Sequence, residues 1–210
     1  MRFCGILFFC VFALTGCAKR EIKNIDSKGK NIICFGDSLT FGYGADEGQD
    51  YPTALAKIVS VPVINAGIDG DTSTEAVRRL ASDVLDRDPL LVIIEFGGND
   101  FLRKIPSEVT VKNIQEMIER AQAKGSMVAL VDISAGIFLK EYREVFSKLS
   151  RENATIFIPS ILNGIITNPK MKSDFLHPNA NGYKLIAQKI QTAIAPYLER
   201  NSVLAKSPKK

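Results

Sequence analysis

Five short apolar runs, each followed by a longer stretch with helical spacing, set the frame of this chain. The runs are Asn31–Phe35, Val61–Asn65, Leu90–Phe96, Met127–Ile133 and Ala154–Pro159, most of them rich in Val, Ile or Leu. Their apolar residues are consecutive rather than alternate, as in strands covered on both faces. Between and after them, Tyr51–Val59, Ser73–Arg87, Glu108–Lys124, Glu141–Arg151 and Asn179–Arg200 read as helices. Ser73 with Glu75, Ser107 with Thr110 and the Asn179/Asn181 pair are expected N-caps, and Gly125 a stop after Lys124. Parallel strands need long crossovers, and helices at this spacing supply them. The expected fold class is therefore α/β, a three-layer α/β/α sandwich with a five-stranded parallel sheet and right-handed crossovers. A length of 210 residues, 46% of them apolar, suffices for one such domain.

The N-terminus has a different character. Arg2 precedes an uncharged, mostly apolar run from Phe3 to Leu14, followed by Thr15-Gly16-Cys17. A run this short cannot cross a bilayer core, which takes about 20 residues, but it fits an export signal. Leu14-Thr15-Gly16-Cys17 resembles a lipobox, in which a signal peptidase cuts before a Cys that takes lipid. The alternative is an ordinary signal with a chance Cys. Cys4 and Cys10 leave with the signal and Cys17 takes lipid. Cys34 then stands alone in an apolar strand, unable to form an internal disulfide and suited to inert packing. Polar residues from Ala18 to Lys30 read as a tether, and 201–210, with Lys206, Lys209 and Lys210, as a frayed basic tail. Removing residues 1–16 leaves 26 basic against 23 acidic residues, interleaved along the chain. That distribution gives no basic stripe for nucleic acid.

Four places along the chain carry chemistry. Gly36-Asp37-Ser38-Leu39 follows the first strand, where a Ser on a glycine-containing turn can be presented as a nucleophile; the same residues also make an ordinary turn. Gly67 and Gly70 follow the second strand and allow backbone N–H groups to face an oxyanion, or simply a tight connection. Gly97-Gly98-Asn99-Asp100 follows the third strand, and Asn99 has an amide to donate, although loop Asn residues often serve turns. Asp174-Phe175-Leu176-His177-Pro178 precedes the last helix and holds the chain's single histidine. Its Asp and His suit a base and its orienting carboxylate, while a surface His beside a Pro turn is the plainer alternative. Functional groups of parallel sheets gather beyond the carboxyl ends of the strands, which is where three of these places fall.

Taken in order, these four blocks resemble the SGNH (GDSL) hydrolase family over about residues 31 to 198. Within it the chain is similar to bacterial periplasmic esterases that act as lysophospholipase, arylesterase and thioesterase. The resemblance implies a flavodoxin-like strand order and the catalytic set Ser38, Asp174 and His177. It also implies an oxyanion hole from the Ser38 and Gly70 N–H groups and the Asn99 side chain. Phe101, Leu102 and Ile105 are candidate acyl-binding residues, the alternative being an apolar loop packed on its own domain, and the Ala135–Lys140 loop is a second place where substrate preference is expected to be set. No cofactor or metal is expected. The expected division is 1–16 signal, 17–30 lipidated Cys17 and tether, 31–200 hydrolase domain and 201–210 tail. The expected partners are a small-molecule or lipid ester and, through Cys17, a membrane facing the periplasm or cell surface. Two other functions remain open on the sequence: an O-acetylesterase acting on carbohydrate or cell-wall polymers, and a surface lipoprotein that binds without turnover.

Overall fold

The computed structural model describes residues 21–134 and 140–205. The signal segment, Cys17, residues 135–139 of the expected substrate loop and the last five residues lie outside the described residues. Five strands, β1 (Asn31–Gly36), β2 (Val63–Gly67), β3 (Pro89–Glu95), β4 (Met127–Val131) and β5 (Ile156–Ile158), pair in parallel in the order β2-β1-β3-β4-β5. That is the flavodoxin-like order, with the direction of winding changing between β1 and β3. The helices are α1 (Ser38–Phe41), α2 (Tyr51–Ala56), α3 (Ser73–Asp83), α4 (Gly98–Leu102), α5 (Ser107–Ala123), α6 (Lys140–Glu152), α7 (Ala180–Arg200) and α8 (Ser202–Ala205).

Successive strand side chains point to opposite faces, so the consecutive apolar runs feed two cores at once. Ile32, Cys34, Leu91 and Ile93 pack with Tyr51 and Leu55 of α2 and Tyr183 and Ile190 of α7. Ile33, Phe35, Val92 and Ile94 pack with Leu80 of α3, Ile114 of α5 and Phe146 of α6. Burial holds the Cys34 thiol far above its ordinary range, which keeps it protonated and inert.

Several boundaries differ from the sequence expectation, each for a local reason. β2 begins at Val63 instead of Val61 and runs on through Asn65 to Gly67, because β1 pairs with it as far as Gly36. β4 stops at Val131, where the buried Asp132 carboxylate turns the chain by accepting from the Ser134 and Ser160 N–H groups. The α3 cap is Thr72 rather than Ser73, with Glu75 completing a capping box. No side chain caps α5; the Thr110 hydroxyl instead donates to buried Asp100. Asn179 caps α7 as expected, accepting from the Asn181 and Gly182 N–H groups.

The segment from Glu21 to Lys30, polar enough to read as a tether, is docked on the domain. Ile22 is in the core. Lys23 N–H donates to the Ala154 carbonyl, the Asn24 amide to the Gln122 and Ser126 carbonyls, and Lys30 N–H to the Asp88 carbonyl. The expected tail also starts later than residue 201. Asn201 is buried and its amide donates to the Ile25 and Ser27 carbonyls.

Candidate active site

Gly36 ends β1 against side chains that leave no room for a Cβ, which would stand 2.0 Å from the Thr40 hydroxyl and 2.5 Å from a Glu95 carboxylate oxygen. This close approach lets the chain turn at once into α1. Asp37 caps that turn by accepting from Leu39 N–H at 3.1 Å. Ser38 is thereby the first residue of α1, at the carboxyl end of the sheet, with its hydroxyl toward the loop that carries His177.

The Ser38 Oγ lies 3.1 Å from His177 Nε2, although 139 residues separate them in sequence. On the other side of the ring, Nδ1 stands 2.8 Å and 3.0 Å from the two Asp174 oxygens. Burial raises the Asp174 pKa, but hydrogen bonds from Leu176 N–H and from the His177 ring and N–H outweigh it and hold the carboxyl below its usual range. An ionised carboxylate only accepts, so Nδ1 carries the proton and Nε2 is left as an acceptor for the Ser38 hydroxyl. The loop is tied down further. The His177 carbonyl accepts from Ser173 N–H, and the Tyr43 ring centroid stands 4.5 Å from the imidazole centroid.

Asn99 sits in the first turn of α4, and its amide nitrogen donates to the Asp71 carbonyl at 3.0 Å and, at a longer 3.3 Å, to Asp37. Gly70 takes φ +78° in the turn closed from Asp71 N–H to the Ile68 carbonyl, a backbone that favours glycine. Arg103 donates to the Gly70 carbonyl at 2.7 Å, fixing the orientation of that peptide. Sequence reasoning gave no part to Asp100, yet it is fully buried and accepts from Ser73 N–H, the Ser73 hydroxyl and the Thr110 hydroxyl. It thereby joins α3 and α5 to the turn that carries Asn99.

One further carboxyl near Ser38, that of Glu95, went unremarked in the sequence, where Asp37 was read only as part of the Gly36-Asp37-Ser38-Leu39 turn. Glu95 closes an otherwise apolar, wholly buried strand and accepts from the Thr40 hydroxyl at 2.8 Å, which also meets the Tyr51 hydroxyl. Burial, and next the charge of Asp37, push the Glu95 pKa well above its ordinary 4.5. Burial likewise raises Asp37 to about 6. The only signal available was an acidic residue at the end of Leu90-Leu91-Val92-Ile93-Ile94.

A raised carboxyl pKa means that the folded state holds a proton which the unfolded chain releases, so stability falls as pH rises through that window. Glu95→Gln removes the Glu95 contribution. Urea midpoints from pH 4.5 upward should therefore decline more steeply for the wild type than for Glu95→Gln. Parallel declines would contradict the buried, protonated Glu95.

A mostly apolar cavity of about 460 Å³ opens beside Ser38, Asn99 and His177, lined by Phe101, Leu102, Ile133, Leu162, Ile166 and Leu176 among others. Ile105 does not line it. The chain passes through left-handed Lys104, and Ile105 N–H folds back onto the Asp100 carbonyl. A larger hollow of about 820 Å³ lies at the other end of the sheet, bounded by Lys23, Ser27, Asp88 and Lys124 among others. None of the four motif blocks reaches it.

The GDSL-like lipase/acylhydrolase family model matches residues 34–185. The chain is 26% identical over 196 residues to the esterase TesA of Pseudomonas aeruginosa, covering 88% of this chain and 98% of that one. It is 29% identical over 204 residues to an arylesterase of Vibrio mimicus, covering 92% and 96%. Among solved structures, the crystal structure of TesA superposes with a TM-score of 0.73 at 28% identity, covering 80% of this chain and 99% of that one. Matched over most of its folded length, this chain belongs to the GDSL-like lipase/acylhydrolase family and is a hydrolase of ester bonds.

Proposed function

We propose that Ser38, His177 and Asp174 form the catalytic triad of a serine esterase working through an acyl-enzyme. The observation that carries this reading is the continuous contact from Ser38 Oγ through the imidazole to Asp174, at 3.1 Å and 2.8 Å. His177 Nε2 takes the Ser38 proton as Oγ attacks the ester carbonyl, and Asp174 stabilises the imidazolium. The imidazolium then protonates the leaving alcohol or thiol as its bond to the acyl carbon breaks. Water attacks the acyl-Ser38, gives its proton to the same imidazole, and the acid departs with Ser38 restored.

In this reading the Ser38 and Gly70 N–H groups and the Asn99 amide hold the oxyanion. The Asn99 contact to Asp37, long for a hydrogen bond, is the one that a developing oxyanion would replace, while the Asp71 carbonyl keeps the amide oriented. Phe101 and Leu102 are proposed to line the acyl site, and aryl esters, lysophospholipids and acyl-thioesters to be the substrate class. The apolar lining supports an acyl group longer than acetyl.

A series of p-nitrophenyl esters from acetyl to dodecanoyl tests the reading. Each methylene that becomes fully buried is worth about 0.8 kcal/mol, so kcat/KM should climb by up to about fourfold per methylene until the cavity is filled. A maximum at the acetyl ester would favour the O-acetylesterase instead. In the same assay Asn99→Ala should lower kcat by about 10² to 10³, with a much smaller change in KM.

Cys17 is proposed to carry the lipid of an exported lipoprotein, with residues 1–16 removed, on the strength of Leu14-Thr15-Gly16-Cys17 after its apolar run. Dual acylation gives stable membrane attachment.

A further inference from the structure

We infer that the amino-terminal end of the sheet is the surface turned toward the anchoring membrane, and that the catalytic cleft cannot be turned to face that membrane. The inference rests on the lipid anchor proposed for Cys17. It adds that the substrate enters from the aqueous side and is not taken from the leaflet that holds the enzyme.

The docked N-terminal segment supplies the geometry. Lys23, Asn24 and Lys30 bond to residues that stand ahead of three strands, while Ile25 and Ser27 meet Asn201 after the end of α7. Ala154 stands just ahead of β5, Ser126 immediately ahead of β4 and Asp88 immediately ahead of β3. Gly29 packs so tightly on Pro89 and Leu90 that a Cβ there would stand 2.3 Å from the Pro89 carbonyl. Residues 21–30 therefore lie across the amino-terminal ends of β1, β3, β4 and β5. Ser38, Asn99 and the cavity lie beyond the carboxyl ends of the same strands.

Two lengths decide what the anchor allows. The six steps between the seven residues of β3, at about 3.3 Å each, put about 20 Å of strand between the two ends of the sheet. The loops carrying the cleft add further height. From Cys17 to Glu21, where docking begins, there are four residue steps, and an extended chain spans at most about 14 Å over them. With the cleft against the membrane, Glu21 would stand farther from the surface than the chain to Cys17 can reach. The domain can lean on its tether but cannot invert. The exposed apolar residues at the mouth, Phe101, Leu102, Phe175 and Leu176, thus face away from the bilayer that holds the lipid and are available to esters arriving through water.

The test uses the full-length lipidated protein in vesicles of phosphatidylethanolamine and phosphatidylglycerol with a fluorescent acceptor on a headgroup lipid. A donor dye is placed at exposed Lys124→Cys, beside the docked segment, or at Phe175→Cys, at the mouth. The Lys124→Cys dye should transfer at least threefold more efficiently than the Phe175→Cys dye. A forty-residue Gly/Ser insert between Arg20 and Glu21, with a root-mean-square span of about 35 Å, should bring the ratio of the two transfers toward one, because the domain can then turn either end to the membrane. Equal or greater transfer from Phe175→Cys without the insert overturns the orientation. Fatty-acid labelling of the same preparation keeps the two readings apart. A protein without label overturns the anchor and the orientation with it, whereas a labelled protein with a membrane-facing mouth overturns the orientation alone.

Discussion

Ser38→Ala should lower kcat on p-nitrophenyl esters by on the order of 10⁶, the scale of loss when a triad nucleophile is removed. That factor corresponds to about 8 kcal/mol of transition-state stabilisation. Against it, the substitution removes one hydroxyl and its hydrogen bond to His177, worth about 1 kcal/mol to the fold. The two effects are far enough apart to separate cleanly. Thermal unfolding should move by a few degrees at most while turnover disappears. Retention of more than a few per cent of wild-type turnover in a contamination-free preparation would remove Ser38 from the mechanism.

Asp174→Asn should cost about 10⁴ in kcat, and for a different reason. The Asp174 carboxylate can only accept, which fixes the imidazole proton on Nδ1 and leaves Nε2 open to Ser38. An amide at that position can donate to Nδ1, sending the ring proton to Nε2, where it faces the hydroxyl it should be receiving from. The substituted side chain keeps an oxygen for the Leu176 and His177 N–H groups, so the loop survives. The loss should persist at alkaline pH, where the imidazole is neutral in both proteins. Less than a tenfold loss there, measured as kcat, would show that the carboxylate does not set the tautomer.

The four motif blocks and the parallel sheet were legible because each is written locally. Consecutive apolar residues specify a strand covered on two faces, and Gly36-Asp37-Ser38-Leu39 or Asp174-Phe175-Leu176-His177 is a contiguous segment. What escaped depends on partners distant in sequence. Ala66 and Gly67 belong to β2 only because β1 pairs with them, and nothing in their own character announces a strand. Thr110 reads as a capping residue until buried Asp100 takes its hydroxyl. Glu95 reads as the end of an apolar run, although burial, and next the charge of Asp37, keep it protonated where it accepts from the Thr40 hydroxyl. Glu21 to Lys30 has the composition of a linker, but its side chains and N–H groups meet carbonyls at strand starts far along the chain. Ile105 lies close in sequence to Phe101 and Leu102 yet leaves their surface, because Lys104 adopts a left-handed backbone in between.

The most direct measurement is mass spectrometry of the protein after exposure to a p-nitrophenyl alkylphosphonate. Attack by Ser38 Oγ forms an oxygen–phosphorus bond and releases p-nitrophenolate, leaving an adduct that water does not readily displace. The predicted result is one alkylphosphonyl group per inactivated chain, on the peptide containing Gly36-Asp37-Ser38, with none on Ser38→Ala. Complete inactivation with the group on any other residue would contradict the assignment of Ser38 as the nucleophile.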